Sequence, residues 1–291
     1  MVEIKKILLV GPPNTGKSTI KSVFFEMANP FVLLRNSLDP TRGVNSNIYS
    51  FFDLELSVFD LAGQENENWF NNEKNIFNYA DLIICILDIN SYLKNNIDFI
   101  EDLIKIITEL KLIKCSLVIL LHKKDLIEPI YAQHKYTAFE RRIKNELKSD
   151  FDIQIYTTSI AKEYFFETFY IIAEIFSNLF EGIRSLESNS IIQEYKTDFK
   201  IILQYDDKKT HNLTDLFYDF SLSSKDAKPR LERLERLGFL TFFKNNQNFQ
   251  LTERALFFKK GLEIKKNYDK ERRINKILES LYFYSNLNQS K

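Results

Sequence analysis

The run Gly11-Pro12-Pro13-Asn14-Thr15-Gly16-Lys17-Ser18 has the spacing G-x-x-x-x-G-K-[ST] and follows the apolar stretch Ile7-Leu8-Leu9-Val10. Residues in that order can wrap a polyphosphate. Backbone N–H groups from Asn14, Thr15, Gly16, Lys17, Ser18 and Thr19 converge at a helix N-terminus, the Lys17 ammonium reaches the β and γ oxygens, and the Ser18 hydroxyl is offered to Mg²⁺. Asp60-Leu61-Ala62-Gly63-Gln64 is a second chemical stretch. Asp60 can hold a Mg²⁺ hydration shell, the Gly63 N–H can approach a γ-phosphate because no Cβ intervenes, and Gln64 can orient an attacking water. A lone D-x-x-G is usually a turn, but this one ends a strand-like run about 40 residues after the phosphate-binding loop, where phosphoryl-transfer chemistry needs it.

A third stretch, His122-Lys123-Lys124-Asp125, also follows an apolar run. The Asp125 carboxylate can accept from the N1 and exocyclic amine of guanine while the Lys123 stem lies on the base, so the combination selects guanine over adenine. Thr41 is the candidate for a loop threonine that senses the γ-phosphate through Mg²⁺. Thr158-Ser159-Ile160 can supply backbone N–H groups, from Ser159 and Ile160, to the guanine O6.

For these residues to meet, each must end a strand on one edge of a sheet. Leu82–Leu87 and Leu117–Leu121 are continuous apolar runs, as expected of parallel strands buried on both faces. Ile48–Phe52 and Leu54–Phe59 read as a hairpin, and Ile153–Tyr156 as a last short strand. Helices are predicted over 18–27, 97–110, 139–147 and 165–180, with Ile97, Ile100, Leu103, Ile104 and Ile107 forming one 3.6-period face. Asn29-Pro30 is read as a helix stop and residues 31–47 as a loop. Alternating strands and helices imply an α/β domain with right-handed crossovers, whose ligands bind at the carboxyl edge of the strands.

Composition narrows the class. No apolar run approaches the ~20 residues that span a bilayer, and the first residues, Met1-Val2-Glu3, show neither a signal-peptide pattern nor a myristoylation glycine. Cys85 and Cys115 lie inside apolar runs and read as buried thiols, which suits the cytoplasm. Of only seven glycines, Gly11, Gly16, Gly43 and Gly63 fall in the chemical stretches, so glycine is concentrated where side chains cannot fit. The formal charge is −6 over residues 1–182 and +6 over 183–291, which places a boundary near Gly182.

With these motifs in order, residues 1 to about 180 resemble the Ras-like small GTPases: Gly11 to Ser18, Thr41, Asp60 to Gln64, Lys123 to Asp125, and Ser159 to Ile160. The chain is most similar to the Rag/Gtr branch, in His122 before Lys123, in Thr158-Ser159-Ile160, and in Asn75-Ile76-Phe77 ahead of Leu82. Pro40-Thr41-Arg42-Gly43-Val44-Asn45 also looks like the Arf pattern. The resemblance implies a P-loop NTPase domain with a mostly parallel six-stranded sheet, GTP or GDP with Mg²⁺ as ligands, and Ser18, Thr41 and Asp60 as the metal group. It implies Gln64, Lys17 and Thr41 as the catalytic group, His122 among the residues around the base, and activating factors, exchange factors and effectors as protein partners. Pro12 and Pro13 depart from the usual small loop residues, and no Arg stands immediately before Thr41, so intrinsic hydrolysis is expected to be slow.

Rag proteins would be expected to continue into a dimerising α/β domain of the roadblock type, which this sequence does not show. Ile191–Asp206, Leu213–Phe220 and a stretch capped by Ser223 or Asp226 and ending at Leu237-Gly238 read as helices. Phe239–Phe243 and Phe249–Leu251 read as a hairpin. Residues 183–256 therefore resemble a winged helix-turn-helix module, and 257–291 read as a charged C-terminal helix suited to packing on this chain or forming a homo- or heterodimer. Pro229 is expected within the first helical turn. Acids at Asp226 and Glu232 speak for a protein adaptor, the +6 charge for DNA; protein is preferred, and membrane insertion is not expected.

Overall fold

The computed structural model describes residues 4–36, 38–51, 54–112, 114–146, 153–179, 197–205 and 208–264. In chain order the elements are β1 (Lys5–Val10), α1 (Lys17–Phe24), α2 (Pro30–Arg35), β2 (Val44–Phe51), β3 (Leu54–Leu61), α3 (Asn66–Asn71), β4 (Leu82–Asp88), α4 (Leu93–Glu109), β5 (Ser116–His122), α5 (Pro129–Glu146), β6 (Ile153–Thr157) and α6 (Lys162–Leu179). There follow α7 (197–204), β7 (His211–Asn212), α8 (Leu213–Phe220), α9 (Ser224–Arg236), β8 (Leu240–Phe243), β9 (Asn248–Leu251) and α10 (Glu253–Ile264). Two compact units result: residues 1–26 with 35–161, and residues 27–34 with 162–291.

In the first unit the sheet order is β2-β3-β1-β4-β5-β6, parallel except for the β2–β3 pair. Ile7–Val10 and Leu82–Leu87 are buried along their whole length, which explains their unbroken apolar sequence. Each such side chain contributes about 1.5–3 kcal/mol when fully withdrawn from water. On α4 the buried residues are Asn96, Ile97, Ile100, Leu103, Ile106 and Ile107, with Ile104 partly buried, close to the face the periodicity marks. The register pairs Leu9 with Asp60, Val10 with Cys85, Asp88 with His122, and Leu121 with Thr157. Gly11, Asp60, Asp88, His122 and Thr158 therefore emerge at one sheet edge.

Prolines account for two departures from the sequence reading. The helix predicted over 18–27 ends earlier, at Phe24, and Asn29-Pro30 starts α2 instead of stopping α1: the Asn29 side chain accepts from Phe31 N at 3.0 Å, and Pro30 takes the first helical position, where its missing N–H costs nothing. Likewise α5 begins at Pro129, ten residues before the predicted Phe139, because residues 129–138 lack a strong apolar period yet continue the helix. Strand β2 is also longer than predicted, starting at Val44, since its pairing with β3 supplies bonds that the polar residues Asn45, Ser46 and Asn47 would not demand by themselves.

The second unit holds α2, α6 through α10 and a three-stranded sheet in the order β7-β9-β8. Phe165, Phe169, Phe199, Phe239 and Phe258 form its centre, with ring centroids 5.2–6.3 Å apart. Asn212 and Asp215 form a capping box on α8. Ser223 caps α9, so this helix starts at Ser224 and Pro229 lies in its second turn. The expectation that Pro229 would sit in the first turn is thus corrected: the Ser223 cap fixes the start, and the helix forgoes the bond that residue 229 would have made. On the inner side of α9, Arg230 and Arg233 reach the buried Asp198 of α7 at 3.1 and 2.7 Å. Helix α10 starts at Glu253 rather than Phe257, and residues 265–291 of the predicted C-terminal helix, like the boundary at Gly182, lie outside the described residues.

Candidate functional site

The loop after β1 is folded by its glycines. Gly16 has φ +100, and a Cβ there would come within 2.6 Å of the His122 ring. Asn14 takes φ 62, a left-handed conformation that asparagine tolerates, and Thr15 Oγ1 donates to Pro12 O at 3.0 Å. Lys17 opens α1 and folds back, donating to Gly11 O at 2.9 Å and Pro12 O at 2.8 Å. Burial lowers its pKa to about 8, with Asp60 and Cys85 acting in the opposite direction, so the ammonium is charged at neutral pH. Gly63 faces it: a Cβ on Gly63 would stand 2.6 Å from Lys17 Nζ and 2.7 Å from Pro13 N.

Three oxygens converge beside this lysine. Ser18 Oγ lies 2.7 Å from Thr41 Oγ1 and 3.0 Å from Asp60 Oδ2, and Thr41 Oγ1 donates to the same carboxylate oxygen at 3.3 Å. Burial pushes the Asp60 carboxyl up, against Ser18, Lys21, Lys17 and Thr41. Its other oxygen, Oδ1, is buried and has no hydrogen-bond partner among the described residues. Two hydroxyls and a carboxylate with an unsatisfied oxygen make an all-oxygen donor set that fits a hard dication such as Mg²⁺.

Pro13, Asn14, Gly16, Lys17, Ser18, Thr19, Thr41, Gly63, Gln64 and Lys123 line one open cleft together with residues 38–40. Gln64 is exposed at its edge. Neither Arg35 nor Arg42 lines it. Asp125, Ser159 and Ile160 are outside the cleft lining and form a neighbouring group after β5 and β6, where Ser159 Oγ donates to Asp125 Oδ1 at 2.5 Å and Ile160 is buried. Lys123 joins the two groups. Its ammonium donates to Asn14 O and to Asp88 Oδ2, the latter at 2.9 Å.

Asp88 is a site residue that the motifs did not mark. It ends an apolar strand at the same sheet edge as Asp60, and that placement was the available signal. It also accepts from Asn90 N at 2.8 Å. Asn66 is another, donating to Gly11 O at 3.1 Å from the start of α3.

His122 occupies a different place from the one its position beside Lys123 suggested. Its ring is buried behind Gly16, with Nδ1 3.0 Å from Thr158 Oγ1. Burial lowers its pKa to about 4, so the native ring stays neutral while the unfolded chain protonates near 6.5. The unfolded state thus binds more protons between those values. The contribution of His122 to stability is expected to fall by about 3 kcal/mol as pH drops through that window, and no further below it. Urea unfolding midpoints near neutral pH and near pH 4 check this: His122→Asn should lose most of the pH dependence, and an equal slope in both proteins would assign it to other groups.

A family model described as the Gtr1/RagA G protein conserved region matches residues 6–212. The GTP-binding protein gtr1 of Schizosaccharomyces pombe is 24% identical over 261 residues, covering 80% of this chain and 82% of that protein. GTP-binding protein GTR1 of Saccharomyces cerevisiae is 31% identical over 132 residues, 43% of this chain and 41% of that protein's own length. ADP-ribosylation factor D of Dictyostelium discoideum is 32% identical over 127 residues, 43% of this chain and 54% of that protein.

Proposed function

The chain belongs to the Gtr1/RagA family of G proteins, and from that premise we propose that it is a guanine-nucleotide-operated switch with slow intrinsic GTP hydrolysis and a C-terminal winged-helix adaptor. The observation that carries the reading is the convergence of Lys17, Ser18, Thr41 and Asp60 at the end of a glycine-shaped loop. Backbone N–H groups from Asn14 to Thr19 hold the phosphates, with Lys17 supplying charge at the β and γ oxygens. Ser18 and Thr41 would ligate Mg²⁺ with Asp60 behind them; when bound, the ion neutralises charge on the phosphates. Gln64 orients the attacking water. Asp125 reads the guanine edge, and Ser159 fixes that carboxylate and, with the Ile160 N–H, faces the base.

Slow hydrolysis follows from two features. Pro13 lines the cleft together with Gln64 and adds bulk where that side chain must work, and among the described residues no arginine lines the cleft, so a partner must supply the charge that stabilises the transition state. Functionally we assign residues 1–182 to the nucleotide domain, 183–256 to the winged helix and 257–291 to a C-terminal helix. The element order α7, β7, α8, α9, β8, β9 supports the winged-helix reading. Arg230 and Arg233 are engaged by Asp198, which withdraws two cations of α9 from any phosphate, and Asp226 stands exposed in its first turn, which favours a protein partner over DNA. No helix among the described residues is long and apolar enough to cross a membrane, and we place the switch in the cytoplasm.

Single-turnover hydrolysis of bound GTP, with and without cell extract, tests the proposal. A slow intrinsic rate accelerated by extract is expected. A fast rate that extract does not change would overturn the slow-switch reading.

A further inference from the structure

The stretch between Ser18 and Thr41 does not stay with the first unit: residues 27–34 are built into the second. What holds them there is Arg254, at the start of α10. It is 2% exposed, donates from Nε to Leu237 O and from Nη1 to Ala28 O, both at 3.1 Å, and lies 5.4 Å from the ring centroids of Phe165 and Phe239. Beside it Gly238, at φ +70, lets the backbone close in; a Cβ there would come within 2.7 Å of Met27 Cβ and 3.2 Å of Arg254 Cδ. Met27 itself takes φ 56, a conformation that persists only when the surroundings over-determine it. Residues 27 and 28 are therefore clamped, and Thr41 follows Leu34 by only seven residues.

We infer that Arg254 is a positioning residue for Thr41: by fixing Ala28 in the second unit it anchors one end of the segment that carries Thr41 to Ser18 and Asp60. A segment whose start is held samples fewer conformations, so less ordering remains to be done when Thr41 takes its place beside Ser18. The link runs through the chain itself and gives the C-terminal module a way to bias nucleotide release. It rests on the reading of Thr41 as part of the nucleotide and Mg²⁺ site.

The test uses the full chain loaded with a fluorescent, non-hydrolysable GTP analogue. Arg254→Met is expected to release it about tenfold faster in the presence of Mg²⁺, within the usual range of coupling between sites, and at the wild-type rate in EDTA. Hydrogen exchange of residues 38–43 should rise in parallel. Insertion of Gly-Ser-Gly-Ser after Asn36 should speed release by itself, and adding an Arg254 substitution to the insertion should then change nothing further. Should Arg254→Met not fold, Arg254→Lys carries the same comparison, since it keeps the charge between the rings but cannot span Leu237 O and Ala28 O. Folded Arg254 variants with wild-type release in Mg²⁺, or effects that multiply with the insertion, would overturn the inference. Absence of guanine-nucleotide binding by the unmodified protein would overturn the underlying reading instead.

Discussion

Asp125→Asn is expected to lower the affinity for GTP by about a thousandfold, ~4 kcal/mol, while improving binding of xanthosine triphosphate. The carboxylate is an acceptor on both oxygens, and one already takes the Ser159 hydroxyl at 2.5 Å. Guanine offers donors at N1 and at its exocyclic amine, whereas an amide at 125 would set a donor against a donor in a partly buried place. Xanthine carries a carbonyl where guanine carries the amine, so the amide suits it better. A fluorescence titration with both nucleotides reads the swap; unchanged GTP affinity would mean that Asp125 does not contact the base.

Lys17→Met carries the second large effect, with opposite signs on binding and on folding. Removing the ammonium while keeping its stem should weaken GTP and GDP binding by about a hundred- to a thousandfold, since a buried charge that meets phosphate loses its partner. The nucleotide-free protein should become more stable, by about 1–2 kcal/mol, because burial of the charged lysine is unfavourable and its compensation from Gly11 O, Pro12 O and Asp60 is incomplete. Denaturant unfolding without nucleotide measures the second effect. A destabilised Lys17→Met protein would show that the lysine is a structural brace rather than a ligand-binding charge.

The parts of this site that were legible in the sequence are those where chemistry restricts residue type. Gly16 and Gly63 are each placed where a Cβ would strike a neighbour, and Ser18, Thr41 and Asp60, marked by their motifs at the start of α1, in the loop before β2 and at the end of β3, are brought together. Asp88 carried one signal, its place at the end of an apolar strand, but no motif partner to single it out; only the topology that sets β4 beside β5 puts it on Lys123. His122 was legible as a residue type but not as a location. Its neighbour Lys123 takes φ 65, and the ring packs behind Gly16 rather than toward the base. The clamp at Arg254 could not have been read at all, since it joins positions 226 residues apart through a backbone carbonyl that any residue supplies. Helix α2 was hidden for a simpler reason: Asn-Pro can end one helix or start another, and propensity alone does not say which.

The most direct test of the account is competition for a fluorescent GDP analogue bound to the 291-residue chain with Mg²⁺ present. Lys17, the loop glycines and the Ser18–Thr41–Asp60 group predict binding of the triphosphate, and Asp125 predicts that the base decides it. GTP and GDP should displace the probe at comparable low concentrations, while ATP at a thousandfold excess should leave it in place. Displacement by ATP and GTP at similar concentrations would contradict the assignment of a guanine-reading switch.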